Sequence, residues 1–156
     1  MKSAFHPKPL RYPQSWSELP GGDELKQAIE GVCDDLSQRV FGYNLVKLGN
    51  LSSEIKLPGC AIRNQVAQTQ VATEASSLIS NSDKLPYIEN SIDGFLLANE
   101  LDFARDPHEI LREVDRTITA NGYVIISGFN PYSLTGLARF LPIKKGNILH
   151  QARFFS

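Results

Sequence analysis

Asparagines follow four segments whose pattern is typical of strands, namely Asn50, Asn81, Asn99 and Asn130. If these segments form one parallel sheet, the four amides gather at its carboxyl edge, where they could hydrogen-bond a neutral polar ligand. Asparagine is also a favoured turn residue, because it tolerates left-handed backbone and caps locally. Both interpretations stay open, and Asn99 is the strongest candidate for ligand contact.

Two carboxylates, Glu100 and Asp102, follow the fourth predicted strand and could act as a general acid or base. Solvated loop carboxylates are the more common case, and that interpretation is favoured. His108 is expected to be exposed, and Cys60 to be a small buried residue rather than a nucleophile. The chain offers no Ser/His/Asp or Cys/His arrangement and no zinc-ligand spacing, so no catalytic residue or metal is assigned.

A strand–helix–strand unit would position these residues. Ile92–Asn99 is an apolar run typical of a buried strand. Asp106 is predicted as a helix N-cap, with Glu109 completing a capping box. Gly122 is placed for a left-handed C-cap, and Tyr123–Gly128 is the next apolar strand. The apolar face of the helix is formed by Ile110, Leu111, Val114 and Ile118.

The rest of the chain divides into an extended N-terminal arm, residues 1–22, and an α/β domain, residues 23–156. Tyr12, Trp16 and Leu19 are candidate anchors of the arm. Within the domain the pattern predicts helices over 24–40 and 133–140 and three earlier strands over 44–49, 59–69 and 76–80. The helix over 24–40 would bury a stripe made of Leu25, Ile29, Val32, Leu36 and Val40.

The composition limits the class of protein. The 156 residues are 42% hydrophobic, enough for one globular domain, and carry a net charge of −1. That charge does not favour a nucleic-acid or membrane-surface partner. Two cysteines that are far apart in the sequence suggest a reducing cytoplasm. The sequence has neither a signal-peptide pattern nor an apolar run of roughly 20 residues, so a soluble cytoplasmic protein is predicted.

Five short motifs occur in order, and together they resemble class I S-adenosylmethionine-dependent methyltransferases of the small-molecule type called methyltransferase type 11. The motifs are Leu85-Pro86-Tyr87, Ser91-Ile92-Asp93, Asp106-Pro107, Glu113-Val114-Asp115-Arg116 and Asn121-Gly122-Tyr123. The resemblance implies a Rossmann-like sheet of about five strands with helices on its faces, truncated at the C-terminus. It also implies S-adenosylmethionine as cofactor and a small molecule as substrate.

In this family the cofactor lies across the carboxyl ends of the first strands. A glycine-rich turn after strand one contacts its methionine end, an acid at the end of strand two holds the ribose, and an aspartate before the Leu-Pro element binds adenine. The residues of this chain that the resemblance implicates in cofactor binding are Gly49, Asn50, Asn81, Ser82, Leu85 and Asn99.

The chain departs from the family pattern upstream of the strand–helix–strand unit. Gly49 is the one glycine in the turn after strand one, and Asn81 occupies the aspartate position, with no acid at the end of strand two. Leu51–Pro58 is too short for a crossover helix, so that helix is expected to be shortened or absent and strand two to pair antiparallel or lie elsewhere. Losing about three hydrogen bonds would weaken cofactor binding by about one to three decades.

By comparison with the family pattern, the C-terminal part is expected to lack the last strands of the sheet, so strand five would be an unpaired apolar edge. The arm, the 133–140 helix, the tail or a second subunit in a homo-oligomer is expected to cover it. The chain could alternatively be a piece of a longer protein.

Two functions stay open. One is a small-molecule methyltransferase with a degenerate cofactor site, and the other is a non-catalytic methyltransferase-like binding or assembly domain. A dinucleotide enzyme is less favoured because its glycine fingerprint is missing as well.

Overall fold

A single parallel sheet organises the protein. The computed structural model describes residues 12–129, and the sheet within them has five strands in the order β3-β2-β1-β4-β5. The strands are β1 (Asn44–Leu48), β2 (Asn64–Thr69), β3 (Leu78–Ile79), β4 (Ile92–Ala98) and β5 (Ile118–Ser127). All four pairings are parallel, so the carboxyl ends of the strands meet at one edge, which we call the carboxyl edge. The predicted α/β class is confirmed.

Helices cover both faces of the sheet. They are α1 (Gly22–Ser37), α2 (Asn50–Ser53), α3 (Glu100–Phe103) and α4 (Pro107–Thr117), preceded by a 3-10 turn at Trp16–Glu18. Alternate residues of the central strands point to opposite faces, which gives two cores. Leu45 and Leu96 pack with Cys33 of α1 on one face, whereas Phe95 and Leu97 pack with α4 on the other.

The pairing of strand two corrects the expectation that it would be antiparallel to strand one or lie elsewhere. β2 runs parallel to β1, with Asn44 opposite Asn64 and Leu48 opposite Gln68. β2 begins at Asn64 rather than at Gly59, so fifteen residues join the two strands. That length suffices for a parallel crossover, although α2 contributes only four residues to it. The predicted shortening of this helix is therefore confirmed.

The fifth strand also differs from its prediction. α4 ends at Thr117 and β5 begins at once, so Gly122 lies inside the strand rather than in a left-handed cap. The register moves from Ile92 opposite Ile118 to Gly94 opposite Tyr123. β5 therefore has three more residues than β4 in this interval, and they form a bulge. The bulge contains Asn121 and Gly122, the residues that resembled the end of a helix.

The first helix buries fewer of its apolar residues than its pattern suggested. Cys33 is buried, and Leu25 and Ile29 are packed against the core, but Val32 is 62% exposed and Leu36 is 43% exposed. α1 ends at Ser37, so Val40 reaches the core from the following turn instead of from the helix. The helix predicted at 133–140 and Asn130 lie outside the described residues.

Side chains of α4 hold the loop that precedes β4. Asp106 Oδ1 accepts hydrogen bonds from the His108 and Glu109 amides, which confirms the predicted N-cap. Arg116 donates to Glu113 and to the carbonyls of Leu85 and Tyr87. A structural reason thus exists for the Leu-Pro-Tyr and Glu-Val-Asp-Arg motifs to occur together.

Candidate functional site

The carboxyl edge is built around the turn that follows β1. Gly49 has φ +97°, a backbone conformation that side chains rarely adopt, and its amide donates to the Gln68 carbonyl at 2.8 Å. α2 begins at the next residue and lasts one turn. The turn therefore presents one glycine and a very short helix to anything that binds above β1. β2 ends at Thr69 and is followed by Gln70, so no acid stands at its carboxyl end.

Asn50 uses both ends of its amide within the protein. Its Oδ1 accepts from the Gln70 amide at 3.2 Å, and its Nδ2 donates to the Pro13 carbonyl at 3.4 Å. The side chain is fully buried. Asn50 thus links the end of β2 to the N-terminal arm.

Asn99 also has an internal role. It adopts left-handed backbone with φ +54°, which turns the chain from β4 into α3. Its Nδ2 donates to Asp102 Oδ2 at 2.9 Å, and its Oδ1 accepts from Ser127 Oγ at 3.0 Å. This geometry favours the turn interpretation for Asn99 and ties the end of β4 to the end of β5.

The loop after β3 contributes the remaining sequence-predicted site residues. Asn81 is exposed, and its carbonyl accepts a hydrogen bond from Gln68 Nε2 at 3.3 Å. Ser82 is buried, and Leu85 packs into the core on the α4 face. Among the six residues, Asn81 has the side chain most accessible to an external ligand, and its contact with the cofactor stays a prediction.

Glu100 and Asp102 are buried, which corrects the expectation that they are solvated loop carboxylates. Each is 1% exposed, because the chain does not form a loop after Asn99 but enters α3 and carries both side chains inward. The segment from Glu100 to Phe103 contains no glycine, proline or serine, a signal that could have indicated a helix instead of a loop.

Glu100 lies directly beneath the Gly49 turn. Ser82 Oγ donates to its Oε1 at 2.5 Å, whereas its Oε2 has no partner among the described residues. A β-carbon on Gly49 would collide with this second oxygen. Burial raises the pKa of Glu100 well above its ordinary value, because a charge is poorly solvated there.

Asp102 connects the ends of β4 and β5. Its carboxylate accepts from Asn99 Nδ2 and from the Phe129 amide, at 3.3 Å to Oδ2 and 3.4 Å to Oδ1. Burial raises the pKa of Asp102 to about 7, against the smaller opposing effect of these hydrogen bonds. A carboxyl group that titrates near neutrality therefore lies at the carboxyl edge.

Residues 12–19 of the predicted arm lie against this edge, and the predicted anchors among them are confirmed. Trp16 is fully buried and donates its indole N–H to the Leu51 carbonyl at 2.8 Å, and Leu19 is buried beside it. The Tyr12 ring packs edge-on against Phe103 with centroids 6.4 Å apart. The Tyr12 hydroxyl lies 2.5 Å from the point where a Gly49 β-carbon would stand, so the arm covers the turn after β1.

Two negative findings apply to residues 12–129. No group of three His, Cys, Asp or Glu residues in this range is arranged to hold a metal ion. None of the helices described there is long and apolar enough to cross a membrane.

Comparison with known proteins gives three findings. Residues 55–126 match a family model described as a methyltransferase domain. The uncharacterized protein YafS of Escherichia coli (strain K12) is 35% identical over 158 residues; the alignment covers all of this chain and 65% of that protein. The chain thus spans about two thirds of the length of this curated relative.

The third finding is structural. A crystal structure of a methyltransferase from Thermotoga maritima, described as S-adenosylmethionine-dependent and a possible histamine N-methyltransferase, superposes with a TM-score of 0.55. The match covers 86% of this chain and 69% of that chain, at 16% identity. At this identity the likeness concerns the fold.

Proposed function

We propose that the chain transfers a methyl group from S-adenosylmethionine to a small molecule, because residues 55–126 match a methyltransferase-domain family model and the fold resembles that of an S-adenosylmethionine-dependent methyltransferase. The observation that carries the proposal is the position of the matched segment, which spans β2, β3, β4 and most of β5 and so supplies four of the five strands whose ends form the carboxyl edge. In open α/β sheets this is the edge where ligands bind.

Two features of the edge fit the methionine end of the cofactor. Gly49 has no side chain, so a ligand that displaces the Tyr12 hydroxyl could approach the backbone of this turn closely. Glu100 directs an unpartnered carboxyl oxygen at the same place. Asn81 and Leu85, on the loop after β3, would lie toward the adenine end.

The bound cofactor supplies an electrophilic methyl group on a sulfonium. No side chain is assigned as acid or base, so the contribution of the protein is to hold the acceptor atom in line with that methyl group and to exclude water. Tyr12 and Pro13 cover the turn after β1, so this part of the arm must move for the cofactor to enter.

One observation favours the second candidate, a non-catalytic binding or assembly domain. Asn50 bonds both Pro13 and Gln70, so the arm satisfies a polar group that a ligand could otherwise have used. In that case the arm is a permanent part of the fold, and the carboxyl edge is closed.

Titration calorimetry with S-adenosylmethionine and S-adenosylhomocysteine separates the two candidates. Micromolar binding that Asn81→Ala weakens, and that the control Asn64→Ala leaves unchanged, supports the methyltransferase. Asn64 is exposed at the opposite edge of the sheet, so its removal matches the chemistry of the change without touching the site. Dissociation constants weaker than about a millimolar support the non-catalytic domain.

The organisation of the chain is part of the proposal. We propose an arm over residues 1–22 on a domain over 23–156, and a homo-oligomer that covers the outer side of β5. There Tyr123 is 52% and Ile126 is 49% exposed. Light scattering at micromolar concentration tests the oligomer, and a monodisperse monomer contradicts it.

A further inference from the structure

Unpartnered polar atoms concentrate at the carboxyl edge. Among residues 12–129, four buried side-chain atoms lack a hydrogen-bond partner, and three of them belong to residues around the turn after β1. These are the Tyr12 hydroxyl, Gln68 Oε1 and Glu100 Oε2. Buried polar groups are normally satisfied, so such a concentration points to a place where a donor belongs.

The free oxygen of Glu100 has a fixed direction. Ser82 Oγ holds Oε1 at 2.5 Å, which leaves Oε2 facing the Gly49 turn, where the Tyr12 hydroxyl also lies. The Gln68 side chain donates a hydrogen bond to the carbonyl of Asn81, the residue before Ser82. The Gln68 backbone carbonyl accepts a hydrogen bond from the Gly49 amide. Three segments of chain therefore converge on one acidic group that is 1% exposed.

We propose that Glu100, oriented by Ser82, binds a cationic group of the ligand, an ammonium or a sulfonium, at the turn after β1. This inference rests on the proposed function, because S-adenosylmethionine carries both cations at its methionine end. A buried carboxylate facing a cation is stabilised in a way that a neutral ligand cannot provide. The cation takes the place of the Tyr12 hydroxyl, so binding displaces this end of the arm.

Binding must then be coupled to proton release. Burial raises the pKa of Glu100 and a cation seated against Oε2 lowers it, so binding should release a proton at any pH at which the carboxyl group is protonated in the unbound protein. Other titratable groups on the surrounding elements are Tyr12 on the arm, Lys47 on β1 and Asp102 on α3. Lys47 donates to the Ile55 carbonyl and Asp102 faces Asn99 and Phe129.

The test compares three ligands that differ in charge. S-adenosylmethionine carries the ammonium and the sulfonium, S-adenosylhomocysteine carries the ammonium alone, and methylthioadenosine carries neither. We expect Glu100→Gln to weaken the affinity for S-adenosylmethionine at least tenfold and to change the affinity for methylthioadenosine by less than twofold. If the affinity for S-adenosylhomocysteine falls by the same factor, the ammonium is the partner of Glu100. If that affinity is unchanged, the partner is the sulfonium. The charge-matched control is Glu89→Gln, an exposed carboxylate in the loop before β4.

A second readout is independent of affinity. Calorimetry in two buffers of different ionisation enthalpy should detect the release of up to one proton per S-adenosylmethionine bound to the full chain, and none with Glu100→Gln. Ser82→Ala keeps the carboxyl group but frees its orientation. We expect Ser82→Ala to weaken the affinity for S-adenosylmethionine three- to tenfold without changing the affinity for methylthioadenosine. Circular dichroism checks that each variant is folded.

The failures of the two proposals are distinguishable. Glu100→Gln overturns this inference alone if S-adenosylmethionine still binds it as tightly as it binds the unmodified protein, or if methylthioadenosine is weakened equally. If S-adenosylmethionine does not bind the unmodified protein at millimolar concentration, the proposed function and this inference both fail.

Discussion

The pH dependence of stability should be dominated by carboxyl groups buried at the carboxyl edge, and Asp102 makes this quantitative. Its pKa is about 7 in the folded protein, against an ordinary value of 3.8. The folded state therefore binds this proton more tightly than the unfolded chain. Stability from this group is fully present below pH 3.8 and is lost as the pH rises toward 7.

The expected loss follows from the two pKa values. Each tenfold change in acidity constant corresponds to about 1.4 kcal/mol, so the whole titration is worth about 4 kcal/mol, of which about 3 kcal/mol falls between pH 5 and pH 8. Asp102 is 1% exposed, so solvent screening does not reduce this much. A typical domain is stable by about 5–15 kcal/mol, so the loss should be large. Glu100 contributes with the same sign.

Urea unfolding at several pH values measures this effect. Trp16 is the only tryptophan of the sequence and is buried, so its fluorescence reports unfolding. Asp102→Asn keeps the shape of the side chain and removes the titration, so it should reduce the fall in unfolding free energy between pH 5 and pH 8 by about 3 kcal/mol. Asp115→Asn, at an exposed position on α4, should leave the fall unchanged. An equal pH dependence in the unmodified protein and in Asp102→Asn refutes the reasoning.

Three further predictions concern single contacts. Trp16→Phe should lose about 1 kcal/mol with the hydrogen bond to Leu51, and Trp16→Ala about 3–5 kcal/mol with its packing as well, both measured by urea unfolding followed by circular dichroism. Gly49→Ala should lower the free energy of unfolding by about 1–3 kcal/mol or more, because φ is +97° and the new methyl group collides with Glu100. Gly31→Ala, where nothing lies within 4 Å of the new methyl group, should instead stabilise α1 by about 0.5–1 kcal/mol. Equal thermal melting temperatures of the two variants would contradict this prediction. Arg116→Ala should raise the pKa of Glu113 from about 2 toward 4.5 in a carboxyl-carbon NMR titration, since the Arg116 hydrogen bond is the main cause of the low value.

Local signals predicted the second half of the sheet. The N-cap at Asp106 and the apolar run of β4 are contiguous in the sequence, and both were placed within a residue or two of their structural positions. The β1–β2 crossover was predicted wrongly because the segment before Asn64 contains an irregular stretch that resembles a strand in its alternation. The predicted fifth strand begins too late in the sequence, because Asn121 and Gly122 signal a turn, whereas the structure places them in a bulge within β5.

The candidate site was less accessible from the sequence, because it depends on contacts between distant segments. Ser82 and Glu100 are 18 residues apart, and Trp16 and Leu51 are 35 apart. Nothing local in α3 distinguishes a carboxylate that is buried by an arm from one that faces solvent. The asparagine pattern did identify the carboxyl edge, although two of the amides, Asn50 and Asn99, bond within the protein.

The position of β4 between β1 and β5 has a consequence for how the molecule opens. β4 is hydrogen-bonded to β1 on one side and to β5 on the other, and its side chains are almost all buried. Its amide hydrogens should therefore exchange with solvent only on global unfolding. Among the described residues, the part of the arm before Trp16 is held by one long amide contact and by packing of the Tyr12 ring, so its amides should exchange through a much smaller fluctuation. Release of this end of the arm and loss of the sheet are then separate events, and the turn after β1 can be uncovered while the fold stays intact.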